Sequence, residues 1–408
     1  MSRLKKARGR STAEWSVRGI SAFIVAVLGC LSVSHAFGYM LRTADAERAH
    51  ALAPWDGRVT AALARTYADI DATPANRRTA DRFALTALRQ DPTAVVAVST
   101  LGIDAHVRGD ITRARRLFGY AERLSRRDFQ TQLWALEDAV GRGDIDGALR
   151  HYDIALRTTR NAPEILFPVL ALAIADPAIR AALVRTLAAR PSWGTSFTEY
   201  AAGEGSDPRA MASLLLMLRR AKTPVSELAS AAVVNALVTK RYPDAAWAYY
   251  ATVRFGVDRR ISRDPRFMAD LVHPSPFDWA PINDAGTVTS IQRGADGGVV
   301  DFSAPSGIGG PLLQQMQVLP PGRYRLRGHT TDIDQPAESS PYWLLACREG
   351  RELGRVAIPN STTANGNFGG VFDVPVDCPV QMLMLLARPS SAIGGVSGQI
   401  DLIRLSPR

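Results

Sequence analysis

Seven of the acidic residues in the last third of this 408-residue chain, Asp296, Asp301, Asp332, Asp334, Glu338, Asp373 and Asp401, are candidates for acid–base chemistry. Glycoside hydrolysis needs two carboxyl groups converging across a cleft, and the spacing of these seven marks no such pair. Asp332 and Asp334 could contribute to a calcium site, yet two carboxylates fall far short of the six to eight oxygens that ion takes. The six histidines are scattered without a His-x-x-x-His pair. The three cysteines, Cys30, Cys347 and Cys378, make neither a disulfide-dense scaffold nor a Cys-rich zinc site. No catalytic residue, metal or cofactor is therefore expected, and the chain is read as non-enzymatic.

The elements say more than the reactive groups. An apolar share of 46% and a charged share of 22% are those of globular protein, and 408 residues exceed one compact core, so two or three domains are expected. The net charge of +10 is unevenly placed. Residues 1–42 hold seven basic residues and one acidic, residues 43–276 hold 32 and 26, and residues 277–408 hold 10 and 12. Spread over a long helical region, that excess is a solvated face rather than a phosphate-gripping stripe, which argues against nucleic acid as a partner.

Lys5, Lys6, Arg8, Arg10 and Arg18 precede an uncharged run over residues 20–41. As a helix this run would span about 33 Å, close to the hydrocarbon thickness of a bilayer. Trp15 and Tyr39 fall near its ends, where interfacial aromatics belong. Basic residues on the N-terminal side favour a cytoplasmic tail at 1–19 and export of the remainder. That pattern fits a bacterial inner membrane, with the bulk of the chain in the periplasm. A cleaved secretory peptide is the alternative, since Ser34-His35-Ala36 has the small-x-small form of a cleavage site.

After Ala44 the chain becomes Ala-, Leu- and Arg-rich with helical spacing, and it repeats. Arg108-Gly109-Asp110-Ile111 recurs 34 residues later as Arg142-Gly143-Asp144-Ile145. In the same register Ala114, Phe118 and Ala121 match Ala148, Tyr152 and Ala155, while Ala80, Ala84 and Ala87 stand one period earlier. Gly is expected to end one helix and Asp to cap the next, which accounts for Arg-Gly-Asp without an adhesion role. The period and these positions resemble the tetratricopeptide repeat, with units at about 61–94, 95–128 and 129–162. The usual terminal prolines are mostly missing. Helices continue over about 165–175, 177–189, 209–221, 225–239 and 243–255. Trp247, Tyr249 and Tyr250 could line a concave ligand face or belong to the core. The resemblance implies a helical solenoid over 44–262 that binds a protein partner and does no chemistry.

Near Asp264-Pro265 the texture changes, and residues 263–281 read as a linker. Beyond it, Gly and Pro become dense and nine short β-rich runs follow, at about 288–292, 299–303, 312–319, 323–329, 342–348, 354–358, 369–374, 381–387 and 398–405. Arg323, Arg325 and Arg327 alternate with Tyr324, Leu326 and Gly328, as in a sheet with one wet and one buried face. The expected fold of 282–408 is an antiparallel β-sandwich of jelly-roll type. The run from Gln315 to Tyr324, Trp343-Leu344-Leu345-Ala346-Cys347 and the closing Gly398–Leu402 strand resemble carbohydrate-binding-module-like sandwiches. That resemblance implies possible polysaccharide binding through exposed aromatics and loop amides. The candidates are Tyr342, Trp343, Asn360, Asn365 and Asn367, with Trp247 and Tyr250 on the helical side. Cys347 and Cys378, in an exported domain, could bridge adjacent strands or remain buried thiols.

The whole reads as a multi-domain α plus β chain: a transmembrane helix, a tetratricopeptide-like solenoid and a β-sandwich. The expected role is a membrane-anchored periplasmic scaffold, with a protein partner on the helices and glycan on the sandwich, in envelope or exopolysaccharide assembly. A polysaccharide-active hydrolase or lyase is the alternative. A third reading has the sandwich as a protein-docking cap.

Overall fold

A computed structural model of the chain describes residues 12–68, 72–284, 286–294 and 297–408. The basic cluster at Lys5, Lys6, Arg8 and Arg10 and the carboxylate Asp296 lie outside the described residues. The chain packs as two compact units that divide between Ala162 and Pro163.

The first unit begins with α1 (Thr12–Leu41), an unbroken helix that runs through Ser34-His35-Ala36. Its span Glu14–Leu41 is long and apolar enough to cross a membrane or to be a signal sequence, and none of its most apolar stretch is covered by protein. Its last turn is docked. Gly38 leaves only 2.9 Å between a would-be Cβ and the Ala53 methyl, and Leu41 packs on Ala49, Ala53 and Val59. The helices α2 (Ala46–Leu52), α3 (Gly57–Thr66), α4 (Pro74–Gln90), α5 (Val95–Val107), α6 (Ile111–Leu124), α7 (Phe129–Gly141) and α8 (Ile145–Thr158) complete the unit.

The expected repeat positions do the packing. Ala80, Ala84 and Ala87 on α4, Ala114, Phe118 and Ala121 on α6, and Ala148, Tyr152 and Ala155 on α8 are all buried. Gly102 on α5 is a close-approach site, because a Cβ there would stand 2.8 Å from the Phe118 ring. Phe118 in turn stacks on Trp134 at 4.4 Å. Both repeated turns close identically. Gly109 and Gly143 take φ of +81° and +70°, and the amides of Asp110 and Asp144 donate to Ala105 O and Ala139 O. The side chains of the same aspartates accept from the Arg113 and Gly147 amides, satisfying donors that the first turn leaves free.

The second unit opens with α9 (Ala162–Ala173), α10 (Pro177–Ala188), α11 (Gly194–Glu204), α12 (Pro208–Arg220), α13 (Glu227–Thr239) and α14 (Pro243–Val253). Of these only α11 has no counterpart in the sequence expectation. Gly and Ser interrupt its apolar pattern, and burial of Phe197, Ala201 and Ala202 sustains it instead. Ten strands follow: β1 (Ala280–Pro281), β2 (Val288–Arg293), β3 (Gly298–Ala304), β4 (Gly310–Gln317), β5 (Gly322–Thr331), β6 (Tyr342–Cys347), β7 (Glu352–Ala357), β8 (Asn367–Val374), β9 (Gln381–Ala387) and β10 (Val396–Pro407).

They form two five-stranded antiparallel sheets, β1-β4-β9-β6-β7 and β2-β3-β10-β5-β8, whose inner faces share one core. All nine expected runs are strands, and a two-residue tenth, β1, is added. The segment expected as a linker is bonded along both sheets. Ser262 N donates to Leu405 O, Ile403 N to Pro265 O and Met316 N to Pro276 O. Burial of alternate residues on both sheets, at roughly 25 cal/mol per Å² of apolar surface, holds this sandwich together.

Candidate ligand-binding faces of the second unit

On α14, Pro243 occupies the first turn and directs Trp247 and Tyr250 to one side of the helix. The two rings meet Phe277, Trp247 edge-on at 5.2 Å and Tyr250 tilted at the same distance. Tyr250 is 1% exposed, and its hydroxyl donates to Asp278 Oδ1 at 2.6 Å while accepting from Arg263 Nε at 2.5 Å. Burial, reinforced by the Asp278 charge, pushes the Tyr250 phenol far above its ordinary range. Ser275 completes the network, its amide and hydroxyl both donating to Asp278 Oδ2. Tyr250 is thus a buried strut between α14 and the segment leading into the sandwich.

Trp247 differs. It is half-buried and stands in a cleft of about 400 Å³ lined by Asp258, Ser262, Arg263, Asp264 and Arg404. The two carboxylates are occupied. Asp258 is bonded to Arg260, which holds it below the usual carboxylate range, and Asp264 accepts the amides of Met268 and Ala269 at 2.8 and 2.9 Å. A smaller cavity of about 150 Å³ lies among α12, α13 and α14. Its charged groups also satisfy one another: Arg254 pairs with Glu227 at 2.7 Å and keeps that carboxyl below its ordinary range, while Arg219 donates to Ser230.

On the first sheet, strand alternation separates neighbours. Trp343 is fully buried and meets Trp279 at 5.7 Å, which removes it as an exposed platform; its parity in β6 points inward. Tyr342 points outward, with the guanidinium groups of Arg355 and Arg388 at 5.2 and 4.9 Å from its ring. Cys347 and Cys378 are joined as a disulfide with Cα atoms 5.6 Å apart. Next to it Arg348 Nη1 donates to Val238 O at 2.7 Å, tying this end of the sheet to α13.

The loop asparagines serve the loop. Asn360 accepts from Gln335 N at 2.7 Å and donates to Asp334 at 3.0 Å. Asn365 has φ of +50°, and Asn367 Nδ2 donates to the carbonyls of Ala364 and Asn365. Asn360, Asn365 and Trp343 are therefore not gathered into one site.

The outer face of the second sheet holds the residues that single-site reasoning missed. Arg327 on β5 stands directly opposite Arg404 on β10 and Gly369 on β8, and Arg325 opposite Ser406 and Val371. A shallow trough of about 570 Å³ runs here, between Arg325, Arg327, Asn367, Val371 and Leu402, over the missing side chain of Gly369. The signal was the Arg323/Arg325/Arg327 alternation, whose cross-strand partner no spacing rule supplies. The other carboxylates of this face are engaged: Asp373 with Arg323 at 2.9 Å, Asp401 with His329 at 2.8 Å, and Asp301 with Gln399 at 2.9 Å.

No family model matches the chain, and no curated protein matches it. Among solved structures, the CBM22-1 xylan-binding domain of Paenibacillus barcinonensis Xyn10C is 9% identical at a TM-score of 0.26, over 36% of this chain and 93% of that one. TmCBM61, solved with β-1,4-galactotriose, is 17% identical at 0.23, over 32% and 88%. The enzymatically active domain of bacteriophage CBA120 tailspike protein 4 is 13% identical at 0.23, over 31% of this chain and only 18% of that one. The neighbours thus include carbohydrate-binding modules; at these scores they assign no function.

Proposed function

We propose that the protein is a non-catalytic, membrane-anchored adaptor of the bacterial envelope, holding a protein partner on its helical hairpins and glycan on its second unit. The observation that carries the glycan reading is Trp247, half-exposed in a cleft that mixes Val257, Ile261 and Pro265 with the charged and polar Asp258, Ser262, Arg263, Asp264 and Arg404. An aromatic face with a few convergent polar groups is the composition that packs a sugar ring and orients its hydroxyls. The engagement of Asp258 and Asp264 supports binding over hydrolysis, because a glycosidase needs one carboxyl held protonated as its acid. The buried repeat faces of α4, α6 and α8 leave their outer surfaces for a partner. The uncovered apolar length of α1 supports anchorage, and the Cys347–Cys378 disulfide supports an oxidising compartment.

The test is a glycan array probed with the full chain in detergent micelles. Binding of at least one polysaccharide that falls tenfold or more in Trp247→Ala, with the folded circular-dichroism spectrum retained at the assay temperature, is expected. An array blank for the full chain overturns the glycan half of the reading, and release of reducing ends from a bound polysaccharide overturns the non-catalytic half.

A further inference from the structure

A row of cations crosses the second sheet without partners. Arg327 and Arg404 face each other directly across β5 and β10, and Arg325 lies two residues from Arg327 on the same face. Among the described residues none of the three has a carboxylate within ion-pair distance, whereas Arg323 at the end of the row is paired with Asp373. Like charges placed directly opposite on adjacent strands destabilise a sheet. The placement is the more telling because residues 277–408 carry more acidic than basic residues, 12 against 10. The net charge of this segment would therefore not draw a polyanion, and the unpaired cations give this face a local positive field.

Arg404 also lines the cleft that contains Trp247, and Arg325 and Arg327 line the trough over Gly369. The cleft and the trough share no lining residue, but Arg404 of the one stands opposite Arg327 of the other across β5 and β10, which sets out a path from the indole to Arg325 and Asn367. We propose that this path is the binding site for an acidic polysaccharide, whose uronate carboxylates pair with Arg325, Arg327 and Arg404 while one sugar ring stacks on Trp247.

The inference rests on the glycan reading above and adds the ligand's charge. Val371 and Leu402 offer apolar shoulders to the C–H faces of pyranose rings, and guanidinium groups pair with carboxylates through two parallel hydrogen bonds. Nucleic acid would need outward aromatics in the trough, but Phe368, the aromatic lining it, packs against the core. A lipid surface would need projecting apolar side chains, where this face is recessed over a glycine.

The test measures binding of an oligogalacturonate and of a neutral β-1,4-galactan oligosaccharide to the full chain in detergent micelles. The acidic oligomer is expected to bind tighter than the neutral one, and its affinity to fall as salt rises. Arg327→Gln combined with Arg404→Gln should weaken it by roughly tenfold or more, the loss of one to two charge-assisted bonds. Arg323→Gln should leave it within about twofold. Arg404→Glu supplies a second readout that does not depend on activity: it places opposite charges across β5 and β10, and should raise the melting temperature while abolishing oligogalacturonate binding. Equal binding of acidic and neutral oligomers, unaffected by the arginine changes, overturns this inference and leaves the glycan reading standing. Binding of neither overturns both. Displacement of the acidic oligomer by soluble short-chain phosphatidylglycerol, but not by uronate, overturns it in favour of a lipid headgroup.

Discussion

At the residue scale the second unit holds two kinds of polar group, and partners distinguish them. Tyr250, Asp278, Arg263 and Ser275 are closed upon each other in the interior, where an unmade hydrogen bond costs more than a made one returns. Tyr250→Phe removes the hydroxyl that both Asp278 and Arg263 use. It should lower stability by about 1–3 kcal/mol, read as an earlier denaturation midpoint, without loss of oligosaccharide binding. A midpoint within about 0.5 kcal/mol of wild type would show the network to be dispensable. Arg327 and Arg404, exposed, and Arg325, half-buried, are the opposite kind, without ion pairs, and their removal should affect binding rather than folding. Trp343 and Tyr342 are adjacent in sequence yet lie on opposite sides of one strand, so only Tyr342 meets solvent.

At the scale of elements, the 34-residue period builds hairpins because small and aromatic side chains alternate where helices touch. Gly102 leaves the space that the Phe118 ring fills, so a side chain at 102 would displace that ring. The first unit also carries two histidines whose protonation burial opposes, His50 and His151. His151 bonds to Gln132 at 2.9 Å and stands 4.0 Å from Glu122, which favours its charged form but less than burial disfavours it. Both pKa values are lowered from 6.5, so above that pH folded and unfolded chains are alike neutral at these sites and the stability is fully present. As pH falls below 6.5 the unfolded chain takes up protons that the folded chain refuses, and stability declines. The helical signal should therefore melt at lower temperature at pH 5.5 than at pH 7.5, by a smaller margin in His151→Gln. An unchanged midpoint in wild type would contradict this assignment.

At the scale of the whole molecule, the proposed location rests on α1. Its length matches a bilayer, its surface is uncovered, and its last turn belongs to the packing of the first unit through Gly38. With a cytoplasmic N-terminus, alkaline phosphatase fused after Arg408 should be active in cells, and a fluorescent protein that folds only in the cytosol should be dark there. The reverse pattern would place both units inside and remove the envelope role with them. A shortened chain lacking α1 in a membrane-free extract would in turn show a cleaved signal in place of an anchor.

The amino-acid order by itself determined the local architecture. Period 34, Gly at the helix ends, Asp at the helix starts and strand alternation are short-range rules, because a hydrogen bond to a residue three to five away is written within one segment. Twelve of the fourteen described helices, all but α2 and α11, and nine of the ten strands were legible in this way. Which groups became neighbours was decided only by tertiary structure. Pairing β5 with β10 and laying the segment after α14 along the sheet put Arg327 opposite Arg404 and Arg404 in the cleft that holds Trp247. Their separations in the chain carry no trace of it, since the register of distant strands is set by the core they share.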